Sequence, residues 1–211
     1  TLGSRWHEVP GALGLGRPHL PAVVAAAIVG GGYFLSLLGG AWALGVTLEL
    51  RDNWPLVLVA ALLFHGLAEE LVWRGFVFGH LRRSATFRRA LWRSIPLIAL
   101  THVAIVATNG LAVGVLALIT AAATCLPFAF LWERGGRTVW APALLHGLIG
   151  SWQLFERDYP VRFQLVLLLT TIAVPMAVFL FRRRLDPSAA PSPGAWRPAP
   201  PLDARSTRRI P

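Results

Sequence analysis

The run Leu63-Phe64-His65-Gly66-Leu67-Ala68-Glu69-Glu70-Leu71-Val72-Trp73-Arg74-Gly75-Phe76 sets two adjacent carboxylates, a histidine and an arginine inside one apolar segment, about residues 54–81. A hydrocarbon core of ~30 Å takes ~20 apolar residues of helix, so this segment is long enough to cross a bilayer. A charged side chain at the centre of a spanning helix costs ~2.5–3.5 kcal/mol on insertion scales, and such groups face a bundle interior or a water-filled cavity. This stretch therefore needs neighbouring helices that satisfy it.

Those neighbours are legible as further apolar runs. Of the 211 residues, 55% are hydrophobic and only 14% charged, which fits an all-α, polytopic membrane helical bundle. Six transmembrane helices are predicted, at about 20–45, 54–81, 95–108, 111–132, 138–155 and 161–181. They form one membrane-embedded domain over 20–181, between a polar lead-in at 1–19 and a Pro- and Arg-rich tail at 182–211 that is expected to be disordered. The first run is too long for a signal-peptide core and reads as a retained helix. Gly30, Gly31, Gly32, Gly39 and Gly40 in it, and the Gly75-x-x-x-Gly79 pair in the second span, offer smooth faces for close helix packing.

All 20 basic residues are arginine, and the net charge is +10. They lie in short loops and in the tail, so retention at the cytoplasmic face accounts for them and a nucleic-acid partner is not indicated. Alternate loops collect Arg5, Arg17, the arginines of 82–93, Arg134, Arg137 and Arg182 to Arg184 on one side, against Arg51, Arg157 and Arg162 on the other. The asymmetry predicts both termini in the cytoplasm. Phe87 and Leu91 among the arginines of 82–93 suit either a short amphipathic helix on an anionic surface or a solvated basic loop. Cys125 is the single cysteine and has no internal disulfide partner.

Helix geometry sorts the charges of the second span. Glu70 and Arg74 stand four apart and share a face, as do His65 and Glu69, while Glu69 and Glu70 point ~100° apart. Glu70 and Arg74 read as mutual support, His65 as a packing partner, and Glu69 as the carboxylate left free to work. His102 and His146 lie in later spans at depths that can meet Glu69 in the cytoplasmic half of the bilayer. A carboxylate base and two histidines can supply the activated water, oxyanion stabiliser and proton donor that peptide hydrolysis requires.

Glu69-Glu70-x-x-x-Arg74, His102 in a later span, and His146 after Ala143-Leu144-Leu145 resemble the CPBP, or Abi, family of CAAX prenyl endoproteases and related intramembrane glutamic proteases. The resemblance covers about residues 55–155. It implies an intramembrane endopeptidase with catalytic Glu69, water-sharing His102 and oxyanion-stabilising His146, with Glu70 and Arg74 in support. It also implies no metal or other cofactor in the chemistry, a membrane-anchored or transmembrane peptide or protein as substrate, and a place in a bacterial cytoplasmic membrane. Two positions depart from the family pattern. Ile98 stands where Phe is usual, and Gly150 where Asn is usual, four residues after the histidine. The loss of an amide donor at 150 would remove ~2.7–4 kcal/mol of transition-state stabilisation.

Two other readings remain open at this point. One is a family member with weakened catalysis that acts as a binding or immunity-type membrane protein. The other is a transporter or metal site, since His65, Glu69, His102 and His146 form a plausible nitrogen and oxygen ligand set. His80, Trp73, Trp92, Trp132, Trp140 and Trp152 are expected to serve packing or the membrane interface.

Overall fold

The computed structural model describes residues 9–156 and 159–185. Arg5, Arg157, the first part of the lead-in and the tail from 186 onward lie outside the described residues. A short helical turn, Val9–Ala12 (α1), precedes five long apolar helices: Leu20–Ala43 (α2), Trp54–Arg82 (α3), Phe87–Asn109 (α4), Leu111–Arg134 (α5) and, as the last element, Val161–Phe181 (α7). Between α5 and α7 stands a shorter rod, an α-helix Trp140–Ile149 (α6) extended by a 3₁₀ turn, Gly150–Leu154.

The chain is thus a helical membrane bundle with, among the described residues, five helices of spanning length instead of six. At ~1.5 Å per α-helical and ~2.0 Å per 3₁₀ residue, α6 and its extension reach ~25 Å, short of a ~30 Å hydrocarbon core. The shortfall is tolerated because Ala141, Pro142, Ala143, Leu145, Gly147 and Ile149 are buried against protein rather than lipid. A second difference concerns the arginine-rich stretch after α3. Thr86 caps α4 by accepting from the Arg89 N–H at 3.4 Å, so the helix begins at Phe87 and runs on through Pro96. Arg88, Arg89 and Arg93 therefore belong to the first turns of a long helix, and neither a separate amphipathic piece nor a loop forms over 87–93.

Consecutive rods alternate in direction, and contacts at the two ends of the bundle fix this. At one end the Val139 N–H donates to Gly14 O at 3.0 Å, the Trp140 indole donates to Gly16 O at 2.7 Å, and Arg82 pairs with Glu133 at 2.8 Å. At the other, Arg51 donates to Phe155 O and Arg162 to Leu44 O, each at 3.1 Å. Gly40 meets Val166, and the Tyr33 and Thr171 hydroxyls stand 3.2 Å apart, so α7 returns antiparallel along α2. Arg17, Arg82, Arg83, Arg88, Arg89, Arg93, Arg134, Arg137 and Arg182 to Arg184 collect at the first end, against Arg51 and Arg162 at the second.

Outward-facing Leu35, Leu56, Phe64, Phe76, Leu100, Leu111 and Leu169 make the girdle apolar, as a lipid-facing surface requires. Inside, small residues bring backbones together. A Cβ on Gly66 would stand 2.7 Å from Ala143 O, and one on Gly147 would stand 2.8 Å from Leu62 Cδ2, so α3 and α6 touch along a glycine seam. Gly75 lies under the backbone of Leu13, whose oxygen would be 2.3 Å from an added Cβ. Gly31, Gly32 and Gly39 meet nothing within 4 Å, so of the first span's glycines only Gly30 and Gly40 serve close packing.

Candidate active site

The seam between α3 and α6 sets the charged residues of α3 against His146. Around them α3 is wound as π-helix over Ala61–Ala68 and Leu71–Phe78, with Glu69 and Glu70 at the junction. Such widened turns recur at functional sites. Both expected i,i+4 pairs form: the Arg74 guanidinium donates to Glu70 Oε1 at 2.8 Å, and His65 Nδ1 lies 3.0 Å from Glu69 Oε1.

The two adjacent glutamates enter opposite surroundings. Glu70 has a side chain 0% exposed, and its Oε1 also meets His146 Nδ1 at 2.8 Å. The Glu69 side chain is 34% exposed, with Oε2 4.0 Å from His146 Nε2. His146 therefore stands between both carboxylates. Its Nδ1 faces an ionised acceptor already shared with Arg74, so that nitrogen carries hydrogen and Nε2 is the atom presented to Glu69. A gap of 4.0 Å is too long for a direct hydrogen bond, and it suits a water ~2.8 Å from each atom.

His102, on α4, hangs from its own helix: its Nδ1 donates to Ile98 O at 2.9 Å. That bond leaves Nε2 as the acceptor of the neutral ring. The ring is near enough to Glu69 to interact with it across space. No hydrogen bond joins the two among the described residues. The structure thus brings together Glu69, Glu70, Arg74, His65 and His146 by direct contact and His102 at longer range.

Two side chains of this site carry no sequence signal. Phe128, on α5, lies under the cluster, its ring stacked on His146 at 4.9 Å between centroids and carrying the Arg74 guanidinium 4.9 Å above it. One face of aromatic carbon thereby supports both a cation and an imidazole. Nothing distinguishes Phe128 from the other apolar residues of its span. The second is Gln153, whose Nε2 would stand 3.4 Å from a Cβ on Gly150, beside Ala61 Cβ at 3.6 Å. A cavity of about 260 Å³ opens there between Arg51, Ala61, His65 and Gln153.

Elsewhere the residues singled out by type serve packing. His80 stacks on Phe76, with centroids 6.4 Å apart, and Trp132 is buried against Phe78. Among the described residues no group of three or more His, Cys, Asp or Glu side chains is arranged to hold a metal ion.

A bundle of apolar helices with a buried carboxylate, arginine and histidine cluster defines a polytopic membrane protein built around an intramembrane polar site. The profile of a family described as type II CAAX prenyl endopeptidase Rce1-like matches residues 51–152, which run from just before α3 into the turn that extends α6 and hold His65, Glu69, Glu70, Arg74, His102 and His146. Over that stretch, a little under half of the chain, the sequence is similar to this family of membrane proteases. Neither a curated protein nor a solved structure matches the chain.

Proposed function

We propose that this protein is an intramembrane endopeptidase that hydrolyses a peptide bond in a membrane-anchored or transmembrane peptide, with Glu69 as general base. The observation that carries the reading is the division of labour between the adjacent glutamates. Glu70 is fully buried with Oε1 shared by Arg74 and His146, while Glu69 is partly open and keeps one oxygen directed at His146 across a water-sized gap. Paired carboxylates in unlike surroundings are a recurrent way to set up acid–base work.

In the proposed sequence a water lies on Glu69 and gives it a proton as the water oxygen bonds to the substrate carbonyl carbon. His102, with Nδ1 held by Ile98 O, accepts a hydrogen bond from the water's other O–H at Nε2, that hydrogen staying on oxygen, and so aims the attack. His146, when protonated at both nitrogens, keeps Nδ1–H on Glu70 and turns Nε2–H to the oxyanion. Collapse of the intermediate breaks the C–N bond, and Glu69 passes its proton to the leaving amine. Glu70, Arg74 and Phe128 hold His146 in place and act through it. His65 orients Glu69 by the bond at 3.0 Å. The arginine-rich end of the bundle is proposed to face the cytoplasm, with both termini there, in a bacterial cytoplasmic membrane.

Purified protein in liposomes, given a prenylated C-terminal CAAX peptide bearing a fluorophore and quencher, is the test. Cleavage at one bond, mapped by mass spectrometry, is expected, with a drop in kcat of at least ~10²-fold in His102→Ala and in His146→Ala and no loss in chelator. Equal rates in both variants and wild type would overturn the assigned roles. Binding of the peptide without cleavage by the wild type would favour the weakened, binding-only reading to which Gly150 points.

A further inference from the structure

We propose that Gln153 is a second oxyanion donor of this site, its side-chain N–H completing with His146 the cradle for the substrate carbonyl oxygen. The proposal rests on the endopeptidase reading and goes beyond it in assigning a catalytic residue outside the motif positions.

His146 Nδ1 is committed to Glu70, so the imidazole has a single nitrogen left for substrate, and that nitrogen already looks toward Glu69. A tetrahedral oxyanion has lone pairs for more than one donor, and a single imidazole leaves the rest unmet. His146, Gly150 and Gln153 follow one another at spacings of four and three, which places them along one helical face. The 3₁₀ turn that begins at Gly150 tightens that face, and the bare Cα of Gly150 leaves space above it. Gln153 reaches back over this space, its Nε2 3.4 Å from where a Cβ would stand. The amide makes no hydrogen bond to another described residue. It lines the same cavity as His65, whose imidazole is bonded to Glu69.

Two donors that each stand ~2.9 Å from one oxygen are separated by at most ~6 Å, and one helical turn is ~5.4 Å. Gly150 follows His146 by about one turn, a spacing at which two side-chain donors are able to reach a single oxygen. In the step concerned, the bond from water oxygen to carbonyl carbon forms and the C=O π pair moves to oxygen. The N–H groups of His146 and Gln153 then hold that charge until the C–N bond breaks. No further reactant is needed.

Two measurements test this. In the cleavage assay with the quenched prenylated peptide, Gln153→Ala is expected to lower kcat ~10²- to 10³-fold with KM within ~3-fold. Gly150→Asn added to Gln153→Ala should recover at least ~10-fold, because a carboxamide grown from 150 enters the same space. A wild-type kcat in Gln153→Ala, or a change confined to KM, would overturn the proposal. The second measurement needs no turnover: a peptidyl phosphonate, which mimics the tetrahedral oxyanion, should bind Gln153→Ala at least ~10-fold more weakly than wild type at unchanged Tm. Equal binding, or no binding of the phosphonate to wild type, would overturn it as well. Failure of the endopeptidase reading itself is distinguished by cleavage that is the same in wild type and Glu69→Gln.

Discussion

Glu70 is the residue on which the geometry of the site depends, since its Oε1 alone joins Arg74 on α3 to His146 on α6. Removing one partner of a buried ion pair leaves a charge uncompensated and costs ~3–5 kcal/mol. Arg74→Ala is therefore expected to destabilise the protein by roughly that amount in detergent unfolding curves, with Glu69→Gln within ~1 kcal/mol of wild type, because Glu69 is partly open. A change below ~0.5 kcal/mol in Arg74→Ala would contradict the supporting role of the pair. The pairs within α3 were legible in the sequence because four-residue spacing puts side chains on one face whatever else the fold does. The bond from His146 to Glu70 was not. Helical phase says that Glu69 and Glu70 diverge, but only the docked position of α6 decides which of them meets His146. Phe128 and Gln153 were invisible for a related reason: an aromatic in an apolar span and an amide past a helix end become site residues only through what packs beside them.

At the scale of elements, the site exists because α3 and α6 approach closely enough for backbone to touch side chain along Gly66 and Gly147. A methyl group on Gly66 would meet Ala143 O at 2.7 Å, and a carbonyl of a packed helix has little freedom to move. Gly66→Ala is expected to cost ~1–3 kcal/mol and to lower activity with it, whereas Gly31→Ala, with nothing within 4 Å, should leave both unchanged. Melting temperatures of the two variants in detergent decide the matter, and an equal loss in both would contradict the seam. The existence and order of the rods were readable from apolar run length. Their ends were less so. The third span was expected from about residue 95, yet the Thr86 cap begins the helix at Phe87, so the arginine-bearing turns before the apolar run are helical too. The run at 138–155 has the hydropathy of a spanning helix, but its second part winds as 3₁₀ from Gly150 and ends short.

At the scale of the whole molecule, the arginine asymmetry expected from the loops is reproduced by the packing, with eleven named arginines of the described chain at one end and Arg51 and Arg162 at the other. Placing that end in the cytoplasm can be tested with single cysteines, because the native Cys125 is buried and can be replaced by serine. Asn53→Cys is expected to react with an impermeant maleimide in intact cells, and Ser84→Cys only after permeabilisation. The reverse pattern would invert the orientation. The central claim is that Glu69, set apart from Glu70 by its open side, activates the water for peptide hydrolysis. The most direct measurement compares wild type with Glu69→Gln in liposomes, quantifying cleavage products of the quenched prenylated peptide at equal protein and equal Tm. Loss of at least ~10²-fold in Glu69→Gln is the expected result, and equal cleavage by the two proteins would contradict the account.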